Sequence, residues 1–140
     1  MTPLEKITAR TMSGGNPDDS DVAKPLYTLE DFFVGNEVEG TIWCNLNPCP
    51  APSAAYALLQ DMRRRPEVAD VRVQYNAFDM EDWPFSDTVW IITSASADEV
   101  RAWFPHSLAP DDCWEGWPDD VKLEECAVPA GMRPVACWWD

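Results

Sequence analysis

Five cysteines and one histidine are the side chains of this sequence best suited to covalent or metal chemistry. The five thiols are Cys44, Cys49, Cys113, Cys126 and Cys137. Structural zinc sites usually take their ligands from closely spaced pairs such as C-x-x-C, and no such pair occurs here. The odd number and the spacing of the thiols favour ordinary reduced cysteines over a disulfide or a zinc site. We therefore assign no metal ligand and expect no cofactor.

Nucleophilic catalysis would need one of these thiols to lie beside His106, the only histidine. Cys49 and Cys113 are the candidates, but nothing near either thiol in the sequence indicates an activated nucleophile. His106 follows Pro105 in a predicted loop, where a single histidine is usually solvated. The motifs G-x-x-x-x-G-K, G-x-G-x-x-G and G-x-S-x-G, typical of nucleotide-binding proteins and α/β-hydrolases, are absent. No catalytic residue is assigned, and the sequence favours a binding protein over an enzyme.

Carboxylates are concentrated in two predicted loops of the second half of the chain. The first loop holds Asp79, Glu81, Asp82 and Asp87, and the second holds Asp111, Asp112, Glu115, Asp119 and Asp120. A calcium-binding loop needs alternating oxygen ligands around a glycine at a fixed position, and neither loop has this pattern. Both loops are interpreted as solvated acidic segments, with a surface that binds another protein as the alternative.

The chain is strongly acidic, because its 25 acidic and 10 basic residues give a formal net charge of −15 at pH 7. Residues 76–140 hold 14 of the acidic residues and only three of the basic ones. Such a charge repels nucleic acids and anionic membrane surfaces, so neither is expected as a partner. It attracts a basic protein and accelerates the encounter with one, although a need for solubility also accounts for it.

The length of 140 residues suits one domain. Residues 1–25 are predicted to be an N-terminal segment and linker, because residues 13–25 are rich in Gly, Pro, Ser and Asp, and residues 26–140 are predicted to be a single α+β domain. No apolar run reaches about 18 residues, and the N-terminus lacks the basic and apolar stretches of a secretion signal. A cytoplasmic protein is therefore expected.

The spacing of apolar residues and the helix N-cap residues predict the positions of the helices and strands in this domain. Thr28 caps a short helix over Leu29–Phe33, and Ser96 with Glu99 forms a capping box. The remaining series is strand, helix, strand, strand, helix, strand over residues 41–46, 53–65, 68–78, 88–94, 96–104 and 121–128, with a further strand at 134–139. This βαββαβ order predicts a ferredoxin-like α+β fold, an antiparallel sheet with helices on one face, with or without the extra C-terminal strand.

Seven of the eight tryptophans follow residue 80. Strand alternation puts Trp43, Trp90, Ile92 and Trp138 on the sheet face opposite the helices. An apolar patch of this kind is rarely left in water. The segment Leu29–Phe33 is the favoured cover, a second copy of the chain comes next, and a different partner is the third option. RNA stacking on this face is disfavoured, because the basic, Gly- and Phe-rich signature of RNA-binding sheets is missing.

Four short phrases of the sequence carry a family resemblance. They are Leu29-Glu30-Asp31-Phe32-Phe33-x-Gly35-Asn36, Thr93-Ser94-Ala95-Ser96, Glu115-Gly116-Trp117-Pro118 and Cys137-Trp138-Trp139-Asp140. Together they resemble a group of small, acidic, uncharacterised bacterial proteins over about residues 26–140. The resemblance implies a bacterial, single-domain protein, and it transfers no catalytic residue because the group has no assigned function.

Charge and aromatic content together predict a protein-interaction module that binds a basic partner, in the manner of an immunity protein that neutralises a toxin. The residues assigned to that surface are Trp43, Trp90, Trp138, Asp111, Asp112, Trp114, Glu115, Trp117, Asp119 and Asp120. One alternative is a small-molecule binding protein or enzyme with a pocket lined by Trp83, Trp114 and Trp117. The other is a homo-oligomer whose sheet face forms the interface, so monomer and homodimer both stay open.

Overall fold

The centre of the computed structural model, which describes all 140 residues, is a five-stranded sheet in which every neighbouring pair of strands is antiparallel. The strands are β1 (Leu26–Thr28), β2 (Val68–Gln74), β3 (Thr88–Thr93), β4 (Asp112–Glu115) and β5 (Arg133–Trp138). Their order across the sheet is β1-β2-β3-β5-β4. Strand β3 therefore lies in the middle, and β1 and β4 form the two edges.

Four α-helices and one 3-10 turn accompany the sheet. They are α1 (Pro3–Thr11), α2 (Leu29–Phe33), α3 (Pro52–Arg63), α4 (Ala97–Ala102) and the turn His106–Leu108. The capping box predicted for α4 is confirmed, because Ser96 Oγ accepts the Glu99 N–H and the Glu99 carboxylate accepts the Ser96 N–H, each at 3.2 Å. These bonds satisfy donors that the first helical turn leaves free. None of these helices has the length and the hydrophobicity that a membrane-spanning helix needs.

Helices α2, α3 and α4 pack on one face of the sheet and build the main core with it. The strand side chains on this face alternate along β2, β3 and β5, and are Val71, Val73, Val89, Ile91, Val135 and Cys137. Phe32 of α2, Leu59 of α3 and Val100 of α4 meet them and are completely buried. Each large apolar side chain removed from water in this way stabilises the fold by about 1.5–3 kcal/mol.

The second face of the sheet carries a smaller core that is built on Leu26, Trp90 and Ala136. Leu123 and Cys126 pack against it. Both belong to residues 117–127, a stretch without helix or named strand that we call the covering segment. Because this segment covers the second face, all six residues of β3 are buried.

Two predictions about the second face are wrong. Residues Leu29–Phe33 form α2 and pack in the main core, so they do not cover this face. Residues 121–128 form no strand, although the covering segment makes one isolated parallel bridge with Lys24. Two backbone bonds hold it there, from Lys24 N–H to Lys122 O at 2.9 Å and from Glu124 N–H to Lys24 O at 3.0 Å.

The α+β class is confirmed, but the ferredoxin-like order of strands is not. Residues 41–46 form no strand. Trp43 has a φ of +56°, and this left-handed conformation breaks the extended backbone that the predicted alternation requires. The sheet instead ends at β1 on one side and at β4 on the other, and β4 lies in a stretch predicted to be a loop.

Helix α1 contributes to the main core, although it precedes the predicted boundary at residue 25. Ile7 is buried in that core, and Thr11 Oγ1 lies 2.6 Å from Tyr27 Oη in a buried hydrogen bond. Gly35, with a φ of +84°, lies so close to α1 that an added Cβ would come within 2.5 Å of Pro3 Cβ. The division into residues 1–25 and 26–140 stays a prediction.

An ion pair between Arg63 and Glu30 joins α3 to α2, with Nη2 and Oε2 2.5 Å apart. The Arg63 guanidinium lowers the pKa of Glu30 from 4.5 to about 2. Because this pKa is lower in the folded than in the unfolded chain, the pair stabilises the fold above about pH 4.5, and its contribution is lost as the pH falls towards 2. The Glu30 side chain is half exposed, so solvent screening keeps the contribution near 1 kcal/mol or less.

We expect Glu30→Gln to lower the free energy of unfolding by up to about 1 kcal/mol at pH 7 and by less at pH 3, because below pH 4.5 the unfolded chain binds a proton at Glu30 that the folded chain, with its lower pKa, does not. Urea titrations at the two pH values measure this difference. Asp61→Asn is the control, since its pair with Arg64 is largely exposed and contributes no more than about 0.5 kcal/mol. A Glu30→Gln effect of the same size at both pH values would contradict the prediction.

Candidate functional site

The strand register places a row of side chains across the second face of the sheet. Directly opposed residues in neighbouring antiparallel strands project from the same face. Arg72 of β2 pairs with Trp90 of β3, and Trp90 pairs with Ala136 of β5. Ala136 in turn pairs with Trp114 of β4. Trp90 and Trp114 therefore flank the small Ala136, and Trp138, two residues further along β5, lies on the same face.

Trp117, the first residue of the covering segment, folds back onto Trp90 with ring centroids 4.7 Å apart. Gly116 makes the turn between β4 and Trp117 at a φ of +106°, a conformation that favours glycine. Trp90 is 1% exposed and its Nε1 donates to Gln74 Oε1 at 2.8 Å. By contrast, Trp117 is 38% exposed and Trp114 is 39% exposed. The Trp90 ring is thus buried, whereas the Trp114 and Trp117 rings are partly exposed to solvent.

Carboxylates lie two residues from two of these rings in the chain, because Asp112 precedes Trp114 and Asp119 follows Trp117. Asp112 pairs with Trp138 in the sheet register and so lies on the same face, where its Oδ1 accepts the Cys113 N–H at 2.9 Å. Asp119 and Asp120 are exposed in the covering segment and take part in none of the ion pairs. We define the aromatic–acidic face as Trp90, Trp114, Trp117, Trp138, Asp112, Asp119 and Asp120.

Two other predicted site residues, Glu115 and Asp111, are exposed but make contacts within the chain. Glu115 accepts hydrogen bonds from the Ala97 N–H at 3.2 Å and from Arg133 at 3.0 Å. The Ala97 N–H and then Arg133 lower the pKa of Glu115, since both favour its charged form. Asp111 accepts the Asp140 N–H at 2.8 Å. These two carboxylates therefore hold α4 and the C-terminus to the sheet edge.

Trp43 lies in the main core, on the other side of the sheet from the aromatic–acidic face. It is 1% exposed, with its ring centroid 4.8 Å from that of Trp139 and 6.3 Å from that of Phe104. Its Nε1 is buried without a hydrogen-bond partner, so packing alone holds the ring. The prediction that Trp43 shares an open face with Trp90 and Trp138 is wrong, because the local backbone is not extended.

The covering segment lines a cavity of about 690 Å³ that is open on one side. Its lining residues are Trp117, Pro118, Val121, Leu123, Glu124, Glu125, Cys126 and Ala127. Of the three tryptophans predicted to line a pocket, only Trp117 does so, whereas Trp83 is buried elsewhere with its Nε1 donating to Phe32 O at 2.8 Å. Glu124 is engaged by Arg10, but Glu125 forms no ion pair, and apolar walls with one free carboxylate suit a group that joins an apolar stem to a positive charge.

Glu124 anchors the covering segment to the rest of the fold. Its Oε1 accepts hydrogen bonds from Arg10 Nη2 at 2.6 Å and from the Leu26 N–H at 2.8 Å, and its Oε2 accepts Arg10 Nη1 at 3.0 Å. The bond to Glu124 raises the pKa of Arg10. One carboxylate thus joins α1, β1 and the covering segment. The sequence offers no local signal for this contact, because Arg10 and Glu124 are 114 residues apart.

No hydrogen bond joins His106 to Cys49 or Cys113, the two thiols considered for nucleophilic catalysis and not assigned to it. His106 begins the 3-10 turn, Cys49 Sγ contacts the carbonyls of Ile42 and Pro50, and Cys113 Sγ lies 3.7 Å from Cys137 Sγ. No three His, Cys, Asp or Glu side chains gather in a way that would hold a metal ion.

The sequence matches the model of the uncharacterized protein YfbO family over residues 2–137. The chain therefore belongs to the YfbO family. The uncharacterized protein YfbO of Escherichia coli (strain K12) is 46% identical over 140 residues, which is 100% of both chains. No solved structure matches. The family match confirms the resemblance to a group of bacterial proteins and extends it to nearly the whole chain.

In this member of the YfbO family, we expect Glu124→Gln to lower the free energy of unfolding by about 1–3 kcal/mol, because the partly buried Arg10 loses its closer counter-ion and keeps only Asp31, whose Oδ2 lies 3.3 Å from Arg10 Nε. Urea denaturation measures the loss, and acrylamide quenching of tryptophan fluorescence rises as the covering segment loosens from Trp90. Glu125→Gln is the matched control, since it removes the same charge from a neighbour that forms no ion pair. Equal losses in the two variants would show that Glu124 is not an anchor.

Proposed function

We propose that this chain is a protein-interaction module that binds a basic protein through its aromatic–acidic face, in the manner of an immunity protein. The observation that supports this most is the joint exposure of Trp114 and Trp117, at 39% and 38%, on the face that also carries the free carboxylates Asp119 and Asp120. Tryptophan is enriched among the residues that dominate binding energy at protein interfaces. Carboxylates around such rings add attraction for a basic partner and speed its approach.

The cavity under the covering segment supports a partner that presents lysine or arginine. Either side chain has an aliphatic stem that packs on apolar surface and a cation that stays near a carboxylate. Trp117 offers the ring, and Glu125 offers a carboxylate that forms no ion pair within the chain. A cation held against a tryptophan ring gains about 0.5–2 kcal/mol, depending on how far it is desolvated.

The same charge disfavours a second copy of the chain at this face. Two copies would bring Asp112, Asp119 and Asp120 of both chains together. Like charges that face each other across an interface weaken binding by about 2 kcal/mol or more. The edge strand β4 begins with Asp112 and ends with Glu115. Charged residues on an edge strand oppose edge-to-edge pairing of identical chains. A homodimer through this face is therefore the weaker alternative.

Site-specific photocrosslinking in bacterial cells tests the proposal. The aromatic crosslinker p-benzoylphenylalanine replaces Trp117 in one variant and Trp114 in another, which keeps a ring at each position. Val34, 58% exposed at the end of α2 on the helix side, is the matched control position. We expect positions 117 and 114 to capture the same basic protein and position 34 to capture none. A shared adduct at all three positions, an adduct with the mass of two copies, or no adduct would each overturn the proposal.

Charge removal separates electrostatic attraction from simple aromatic contact. Asp119→Asn combined with Asp120→Asn should reduce the adduct yield at position 117 several-fold, and about 0.5 M salt should have a similar effect. Glu37→Gln combined with Glu39→Gln is the control, because it removes the same charge from two exposed residues outside the face. If both pairs of substitutions reduced the yield equally, only the net charge and not this face would matter.

A small-molecule binding role is a second candidate, and the cavity of about 690 Å³ is the observation that favours it. We expect an organic cation with an apolar body, such as a benzylammonium ion, to raise the melting temperature of the wild-type chain. Trp117→Phe should weaken this shift because it reduces the aromatic surface, whereas Trp103→Phe, outside the cavity, should not. A shift that both variants retain, or no shift, would leave the cavity without a role in cation binding.

A further inference from the structure

Two cysteines of neighbouring strands face each other at the edge of the sheet. Cys113 of β4 and Cys137 of β5 are directly opposed in the antiparallel register. Their Sγ atoms lie 3.7 Å apart, and both thiols are free. Cys44, Cys49 and Cys126 differ, because their Sγ atoms make hydrogen bonds only to oxygen.

The backbone around this thiol pair already suits a disulfide. Directly opposed residues of antiparallel strands have Cα atoms about 4.5–5.5 Å apart. Disulfides span Cα separations of about 4.4–6.8 Å, so no strand has to move. Only the two Sγ atoms must approach, and rotation about the Cα–Cβ bonds brings them together.

The two thiols differ in access and acidity. Cys113 is half-buried on the edge strand, whereas Cys137 is completely buried. A hydrogen bond from Cys137 and the charge of Arg101 lower the pKa of Cys113, while burial raises the pKa of Cys137. The thiolate is the nucleophile in thiol–disulfide exchange, so Cys113 is the thiol that reacts first with a molecule from solution.

We propose that Cys113 and Cys137 form a redox-active dithiol that a low-molecular-weight disulfide, such as oxidised glutathione, converts into an intramolecular disulfide. In the first step the Cys113 thiolate attacks one sulfur of the external disulfide, a mixed disulfide forms and one thiolate leaves. In the second step the Cys137 thiol gives its proton to that thiolate and attacks the Cys113 sulfur, and the second external thiolate leaves and takes a proton from water. Two chain thiols are oxidised, and one external disulfide is reduced to two thiols.

The disulfide would close a loop around the covering segment. Residues 117–127 lie between Cys113 and Cys137 in the chain, and apart from the sheet they are held chiefly by Glu124 and two backbone bonds. A crosslink at both ends of this stretch restricts its unfolded conformations. Oxidation therefore stabilises the aromatic–acidic face, whatever that face binds.

Incubation of the folded chain with oxidised glutathione tests the proposal. We expect a mass loss of two hydrogens, a Cys113–Cys137 crosslink in the non-reduced peptide map, and a melting temperature about 10 °C higher, which a dithiol reductant reverses. Cys44→Ser, a change at an exposed thiol, should leave all three results unchanged. A crosslink between other cysteines, or no reaction of the folded wild-type chain, would overturn the proposal without any variant.

Two variants assign the order of the steps. Cys137→Ala should stop at a stable mixed disulfide on Cys113, because no second thiol resolves it. Cys113→Ser should give neither a mixed disulfide at Cys137 nor a crosslink, because Cys137 is buried. A stable glutathione adduct on Cys113 in the wild-type chain, or an adduct on Cys137 in the Cys113→Ser variant, would contradict the assignment.

Discussion

The structure depends on burying strand β3 from both sides. All six residues of Thr88–Thr93 are buried, with Val89 and Ile91 against the helices and Trp90 against the covering segment. The helices pack on one face only, so the second face needs a different cover. Residues 117–127 supply it without regular structure, and they depend on side-chain anchors instead: the Trp117 ring on Trp90, and the Glu124 carboxylate on Arg10 and the Leu26 N–H.

The sequence predicts helices and strands correctly where interactions between residues close in the chain determine them. The β-branched residues of β3, the capping box at Ser96 and the cap at Thr28 predict elements that are present, and strand alternation places Trp90 and Trp138 on one face. Alternation fails at Trp43, where a left-handed residue turns the ring into the main core. The covering segment was misplaced for another reason, because its anchor joins residues 114 apart and leaves no periodic pattern.

The aromatic–acidic face arises because residues 117–127 cover the second face of the sheet. Trp117 must lie on Trp90 to exclude water from it, yet a single irregular segment leaves the outer side of the Trp117 ring in solvent. The acidic residues Asp119 and Asp120 that follow are exposed and form no ion pair. Composition predicted an acidic, tryptophan-rich surface, but it could not separate the free carboxylates Asp119 and Asp120 from Glu115, which α4 and Arg133 engage.

The anchors also determine how this face can respond to a partner. Glu124 joins α1 and β1 to the covering segment, so moving the segment would remove the closer of the two counter-ions of Arg10 and leave only Asp31. That energetic cost favours a partner that binds the unchanged surface over one that requires the covering segment to detach first. A preformed face has little conformational entropy to lose on binding, which leaves more of the contact energy of Trp114 and Trp117 available for affinity. Trp117 thus serves the fold by packing on Trp90 and also belongs to the proposed binding surface, and a substitution that keeps an aromatic ring at this position separates the two effects.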